Sequence, residues 1–139
     1  MLGKKNLTLE AIMKRFKSKE LKKLIQTKNT NIELIKKDKK FKKKSLEWMI
    51  YAEKYKYVYN FTWMGIPIIK YPNDIIALQE IIWETKPDLV IETGVAHGGS
   101  IVFIASILNL INPKAQIIGI DLDIRKYNLN EIKKNKFYR

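Results

Sequence analysis

Apolar residues change their spacing along the chain, and each change predicts a different element. Leu7, Leu9, Ile12, Met13, Phe16, Leu21, Leu24 and Ile25 recur at loosely helical spacing. That predicts one or two amphipathic helices or a partly disordered arm. The block "KKDKKFKKK", residues 36–44, repels itself and has little apolar surface to bury. It reads as a solvated helix face or a linker. Residues 46–60, "LEWMIYAEKYKYVYN", fit a helix or a strand. In "FTWMGIPIIKYPND", Gly65, Pro67 and Pro72 predict an extended segment punctuated by turns. A helix follows, capped by Asn73 or Asp74 and ended by Pro87. Ile75, Leu78, Ile82 and Thr85 form its buried face, widened by Ile76 and Ile81.

The period then switches. "DLVIET", 88–93, is a continuous, β-branched run, as expected of a strand buried on both faces. A glycine-rich loop leads into "SIVFIASILNLI", 100–111, a helix that stops at Asn112–Pro113. "AQIIGIDLD", 115–123, predicts a second buried strand, and "YNLNEIKKNKF" the start of another helix. Strand, glycine turn, helix, strand is the βαβ unit of a parallel, doubly wound sheet. The expected class is α/β with a partial Rossmann-like fold. A composition change near residue 45 divides the chain into a lysine-rich arm or linker, 1–45, and a Rossmann-like domain, 46–139.

Composition narrows the setting. The chain has 139 residues, 46% of them hydrophobic, so one domain with a core is expected. It has no cysteine, which excludes disulfides and thiolate metal sites. The N-terminus lacks the apolar stretch of a signal peptide. The longest apolar run, about residues 101–111, is shorter than the roughly 20 residues of a membrane span. A soluble, cytoplasmic protein without a transmembrane segment is expected. The net charge is +13, from 27 basic and 14 acidic residues. Only Arg15, Arg125 and Arg139 are arginines, whereas base and phosphate recognition favours the arginine fork. The wealth of Ile, Asn, Lys and Tyr is what an AT-rich coding sequence produces. Compositional bias is therefore preferred over a nucleic-acid surface.

The chemistry gathers at the strand ends. In such sheets ligands sit beyond the carboxyl ends of the strands. Glu92 closes the first strand and Asp121 the second. Between them Gly94, Gly98 and Gly99 permit a tight turn and close approach. The Gly98–Ser100 region supplies free amides at a helix start. The rival ligands are a dinucleotide and S-adenosylmethionine. The dinucleotide fingerprint is G-x-G-x-x-G, but here the spacing is G-x-x-x-G-G with Ala96 at the second glycine position. A carboxylate at Glu92 repels a pyrophosphate and suits the ammonium of a methionine moiety. Asp121 can accept ribose hydroxyls from either ligand, so it does not discriminate. The glycine spacing and Glu92 together favour S-adenosylmethionine. Plainer readings exist: a simple tight turn, Glu92 as a helix cap, Asp121 and Asp123 as a polar strand end. His97 is the only histidine. With no second imidazole and no nucleophile pattern, it reads as a loop-shaping or ligand-lining residue.

The stretch from "TWMGIP" through "PDLVIETGVAHGGS" to "GIDLDIR" closely resembles the cephalosporin hydroxylase / rhamnosyl O-methyltransferase family, over roughly residues 60–137. The resemblance implies a class I methyltransferase fold, S-adenosylmethionine as cofactor, methylation of hydroxyl oxygens, and help from a divalent metal such as magnesium. It places Glu92, Gly94, Ala96, His97, Gly98, Gly99 and Ser100 around the methionine part of the cofactor. It puts Asp121 on the ribose, Asp123 and Arg125 on the adenosine side, and Trp63 and Gly65 near the active-site mouth. The acceptor would be a small-molecule, glycan or lipid-linked hydroxyl.

The resemblance also implies later strands and metal carboxylates that this chain does not match. No metal ligand is expected within it, and its catalytic residues remain unassigned. The expectation is the truncated, cofactor-binding N-terminal portion of a methyltransferase, stopping inside its second crossover helix. Its open strand edge and poorly covered sheet faces would call for a complementing C-terminal chain, and it should be inactive alone. The competing expectation is a non-catalytic basic accessory protein contacting RNA, anionic lipid or a partner subunit. If lysine content reflects compositional bias, duplex DNA is expected to bind only in the weak, non-specific range near physiological salt, with dissociation constants of about 10⁻⁴ to 10⁻⁶ M. Tight binding with a steep salt slope in an anisotropy titration would reverse the preference.

Overall fold

Ser18 opens the first helix in the computed structural model, which describes residues 18–137. Its Oγ accepts the Leu21 N–H at 3.2 Å, the bond that caps α1 (Lys19–Lys37). Glu20 in the first turn and Lys36 and Lys37 in the last turn match the helix dipole. Asp38 then serves two helices. Its N–H donates to the carbonyls of Leu34 and Ile35, and its Oδ1 accepts the Phe41 N–H at 2.9 Å, at the start of α2 (Lys39–Glu53). The lysine block is thus helical, interrupted only at Asp38. Leu24 and Leu34 stand exposed, and α1 buries no residue. Leu7 to Phe16 lie outside the described residues. The chain divides into two compact units between Ala52 and Glu53.

The second unit starts with a 3₁₀ turn at Tyr57–Asn60, so the ambiguous stretch 46–60 is helical in two pieces. Two short antiparallel strands follow, β1 (Thr62–Trp63) and β2 (Ile66–Pro67). Met64 and Gly65 join them, both at positive φ (51° and 84°), the pairing that a type I′ two-residue hairpin turn requires. The helix α3 (Pro72–Thr85) begins earlier than expected. Tyr71, not Asn73 or Asp74, holds the cap position, and Pro72 takes the first turn, where its missing N–H costs nothing. Lys86 ends the helix in the left-handed region, ahead of Pro87. Ile82 is buried, and Ile75 and Leu78 pack on the core. Ile76, Ile81 and Thr85 are exposed, so the stripe is narrower than the sequence implies.

The remaining elements form a β-α-β unit. Strand β3 (Leu89–Thr93) pairs in parallel with β4 (Gln116–Ile120), and α4 (Gly99–Ile111) connects them. The register sets Val90 beside Ile117 and Glu92 beside Gly119. Val90 and Ile117 pack against the main core cluster of Ile68, Ile82, Phe103, Ile104 and Leu108. The opposite face carries Leu89, Ile91, Ile118 and Ile120, and it is open. Ile91 is 58% and Ile120 53% exposed. Burial on both faces therefore fails as an expectation: the run is apolar throughout, but packed side chains cover one side. The second strand is also shorter than 115–123, because Asp121 leaves the ladder to bond the loop after β3. The last helix, α5 (Lys126–Lys134), closes with the Asn135 N–H on the Ile132 carbonyl.

Phe103 is fully buried, with its ring edge-on to Trp63 at a centroid distance of 4.9 Å. Gly99 sits directly beneath the Pro67 carbonyl, and a Cβ there would collide with that backbone. Hairpin and α4 are thus in contact through a residue that has no side chain. In urea unfolding, Phe103→Ala is expected to cost about 3–5 kcal/mol and Gly99→Ala about 1–3 kcal/mol. A near-neutral result for both would show that the hairpin does not depend on this packing.

Candidate functional site

Residues 94–98, the loop between β3 and α4, are held from three sides. From β4, the Ile120 carbonyl accepts the Gly94 N–H at 2.9 Å. From beyond β4, Asp121 Oδ2 accepts the N–H of Val95 at 2.7 Å and of Ala96 at 3.1 Å. From α5, Asn128 Nδ2 donates to the Ala96 carbonyl at 2.8 Å, while its Oδ1 lies 3.3 Å from His97 Nδ1. Ala96 therefore has its N–H and its carbonyl both bonded. It needs them: its φ is 47°, a left-handed conformation that disfavours side chains with a Cβ. Gly98, at φ 88°, turns the chain into α4.

The expected residues separate into two groups. Glu92, Gly94, Ala96, His97, Gly99 and Ser100 line a cavity of about 190 Å³ together with Val95, Pro67, Ile69 and Lys70. Glu92 reaches it from the covered face of β3. Lys70 Nζ stands 3.6 Å from Glu92 Oε1, while Glu92 Oε2 is buried with no hydrogen-bond partner. No side chain caps α4, and its first residues, Gly99 and Ser100, line the same space.

The second group lies off the cavity. A Cβ on Gly98 would run into the Ile132 side chain, so the close approach it permits is to α5. Asp121 anchors the loop, and its Oδ1 also accepts the Asp123 N–H at 3.4 Å. Asp123 and Arg125 are exposed, and Arg125 Nη1 donates to the Tyr127 hydroxyl at 2.8 Å. Trp63 packs in the core, its Nε1 buried without a partner, and Gly65 occupies the hairpin turn. Neither lines the cavity.

Two contributors escape the sequence reading. Lys70 gives no signal at all. Asn128 gives a weak one, as a polar residue four positions before Ile132 on the buried face of α5. A larger cleft of about 780 Å³ lies among α4, β4 and α5, lined mainly by apolar side chains such as Ile117, Leu129 and Phe137. The polar chemistry lies in the smaller cavity. Among the described residues no group of three or more His, Asp or Glu is placed to hold a metal, and no helix is long and apolar enough to cross a membrane.

The sequence model of the family described as Rhamnosyl O-methyltransferase/CmcI matches residues 55–138, and the chain belongs to that family. A rhamnosyl O-methyltransferase of Mycobacterium leprae (strain TN) is 39% identical over 61 residues, 44% of this chain and 27% of that protein. Its counterparts in Mycobacterium bovis (strain BCG / Pasteur 1173P2) and Mycobacterium tuberculosis (strain ATCC 25618 / H37Rv) are each 40% identical over 60 residues, 43% of this chain and 24% of theirs. The aligned stretch spans about a quarter of the length of these curated relatives. No solved structure matches the chain.

The amides of Ala96 foremost, then of Val95 and Asp123, hold the Asp121 carboxyl below the ordinary aspartate value. A depressed value in the folded state means that the carboxylate stabilises the loop above the ordinary aspartate range. That contribution is lost as pH falls through the lower folded value. Hydrogen exchange at Val95 and Ala96 should accelerate in that acid window, over and above the intrinsic pH dependence. In Asp121→Asn both amides should exchange fast across the whole range. Unchanged protection in the variant would remove Asp121 as the anchor.

Proposed function

We propose that this chain carries the cofactor-binding part of an S-adenosylmethionine-dependent O-methyltransferase with a Rossmann-like sheet, and that the cavity beside Glu92 takes the methionine end of the cofactor. The observation that carries the reading is the buried, unpartnered Glu92 Oε2. An orphaned carboxylate oxygen in a polar cavity calls for a hydrogen-bond donor. An amino-acid ligand supplies one in its ammonium group, and that bond is charge-assisted. The uncapped start of α4 borders the same space and suits the carboxylate of the same ligand. An acceptor on one wall and donors on another match a zwitterion, whereas a pyrophosphate would meet the Glu92 charge.

When bound, the cofactor supplies an electrophilic methyl group to an acceptor hydroxyl. This chain's residues bind and orient it: Glu92 holds the ammonium, and the Gly94–Ser100 loop shapes the wall. Asp121 keeps the loop in place and stands at the strand end where a ribose would lie. Positioning of this kind lowers the entropic part of a barrier. The family and the names of the relatives support a small-molecule or glycan hydroxyl, rhamnose among them, as the acceptor. Magnesium does not fit the described residues, which offer no ligand cluster, and no step is assigned to it.

Calorimetry with S-adenosylhomocysteine tests the reading. Saturable binding is expected, weakened roughly tenfold or more in Glu92→Gln through loss of a charge-assisted bond of about 1.5–3 kcal/mol. NAD run in parallel should not bind. Tighter binding of NAD, or equal affinity in Glu92→Gln, would overturn the proposal. Gly98→Val makes a poor control, because Ile132 occupies the space its side chain would need.

A further inference from the structure

His97 is the chain's only histidine, and the Asn128 side chain lies against its ring. Asn128 is 5% exposed on α5. Its Nδ2 donates to the Ala96 carbonyl at 2.8 Å. A carbonyl cannot donate, so this bond fixes which end of the amide is nitrogen. The other end, Oδ1, lies 3.3 Å from His97 Nδ1. An amide oxygen accepts and never donates, so Nδ1 must carry the hydrogen. In a neutral imidazole that leaves Nε2 with its lone pair free. His97 lines the same cavity as Glu92.

We propose that Asn128 is a positioning residue that locks His97 as the Nδ1–H tautomer, so that Nε2 acts beside Glu92 as a second acceptor for the ammonium of the amino-acid ligand. The ligand half of this statement rests on the cavity's reading as a methionine-moiety site; the tautomer half does not. An ammonium has three hydrogens, more than one carboxylate oxygen takes up, so a neutral acceptor on the same cavity complements it. The lock also explains why a buried asparagine stands at the loop. One amide holds the strained Ala96 carbonyl and sets the neighbouring ring, which an aliphatic residue of similar size could not do.

The test uses the full chain, whose single histidine yields one pair of ring-nitrogen resonances. Nitrogen-15 spectra at a pH where the ring is neutral should show a pyrrole-like Nδ1 and a pyridine-like Nε2. Asn128→Leu should return the ring toward the Nε2–H form that unconstrained imidazoles prefer. His97→Phe should weaken S-adenosylhomocysteine about three- to tenfold, the worth of one hydrogen bond, and leave the analogue lacking the amino group unaffected. An Nε2–H signature in the unmodified chain overturns the lock, and this reading stands even if Asn128→Leu fails to fold. Equal weakening of both ligands overturns the ammonium assignment. No binding of S-adenosylhomocysteine by the unmodified chain, with the Nδ1–H signature present, sinks the cavity reading and leaves the lock supported.

Discussion

One carboxylate holds the glycine loop to the second strand. Asp121 Oδ2 takes two consecutive amides, Val95 and Ala96, from a loop 25 or more residues earlier in sequence. That contact couples the carboxyl ends of β3 and β4, and the cavity wall follows from it. Without it, the left-handed Ala96 keeps only its carbonyl bond to Asn128, and the entry to α4 is held less firmly relative to Glu92. A charged acceptor is suited to the task because charge-assisted bonds to amides are roughly twice as strong as neutral ones. The same bonds lower the carboxyl's proton affinity, so the anchor stays ionised to lower pH than an ordinary aspartate.

The second clamp comes from α5 and is neutral. Asn128 holds the Ala96 carbonyl while Asp121 holds its N–H, so adjacent peptide groups of the loop are fixed by different elements. Gly99 brings the hairpin's Pro67 onto the first turn of α4, and Gly98 brings Ile132 onto the turn before it. The glycines thus do two jobs at different positions. Gly98 and Gly99 admit neighbouring protein, whereas Gly94 has open space above it. Glu92 is then the one carboxylate presented to the cavity with an oxygen left unpaired.

Much of this was legible in the sequence, for identifiable reasons. The change from helical spacing to a continuous β-branched run located β3, and Asn112–Pro113 located the end of α4, because turn and strand chemistry is local. The strand-end acids and the glycine loop were visible for the same reason. What local patterns do not carry is which partner covers a surface. Leu89 and Ile91 read as buried because they are apolar, yet nothing among the described residues packs over them. Ile76 and Ile81 read as core for the same reason. Asp121 read as a ligand acid, but whether a carboxylate faces a ligand or a backbone amide depends on the loop's fold. Asn128 and Lys70 reach the site only through tertiary geometry, so no spacing rule points to them.

The proposed occupant of the space enclosed by Glu92, the glycine loop and the start of α4 is an amino-acid zwitterion. A crystal structure of the chain with S-adenosylhomocysteine tests it most directly. The ligand's ammonium is expected within hydrogen-bond distance of Glu92 Oε2, with its carboxylate toward the amides of Gly99 and Ser100. A ligand seated in the larger apolar cleft, or one whose amino-acid end points away from Glu92, would contradict it.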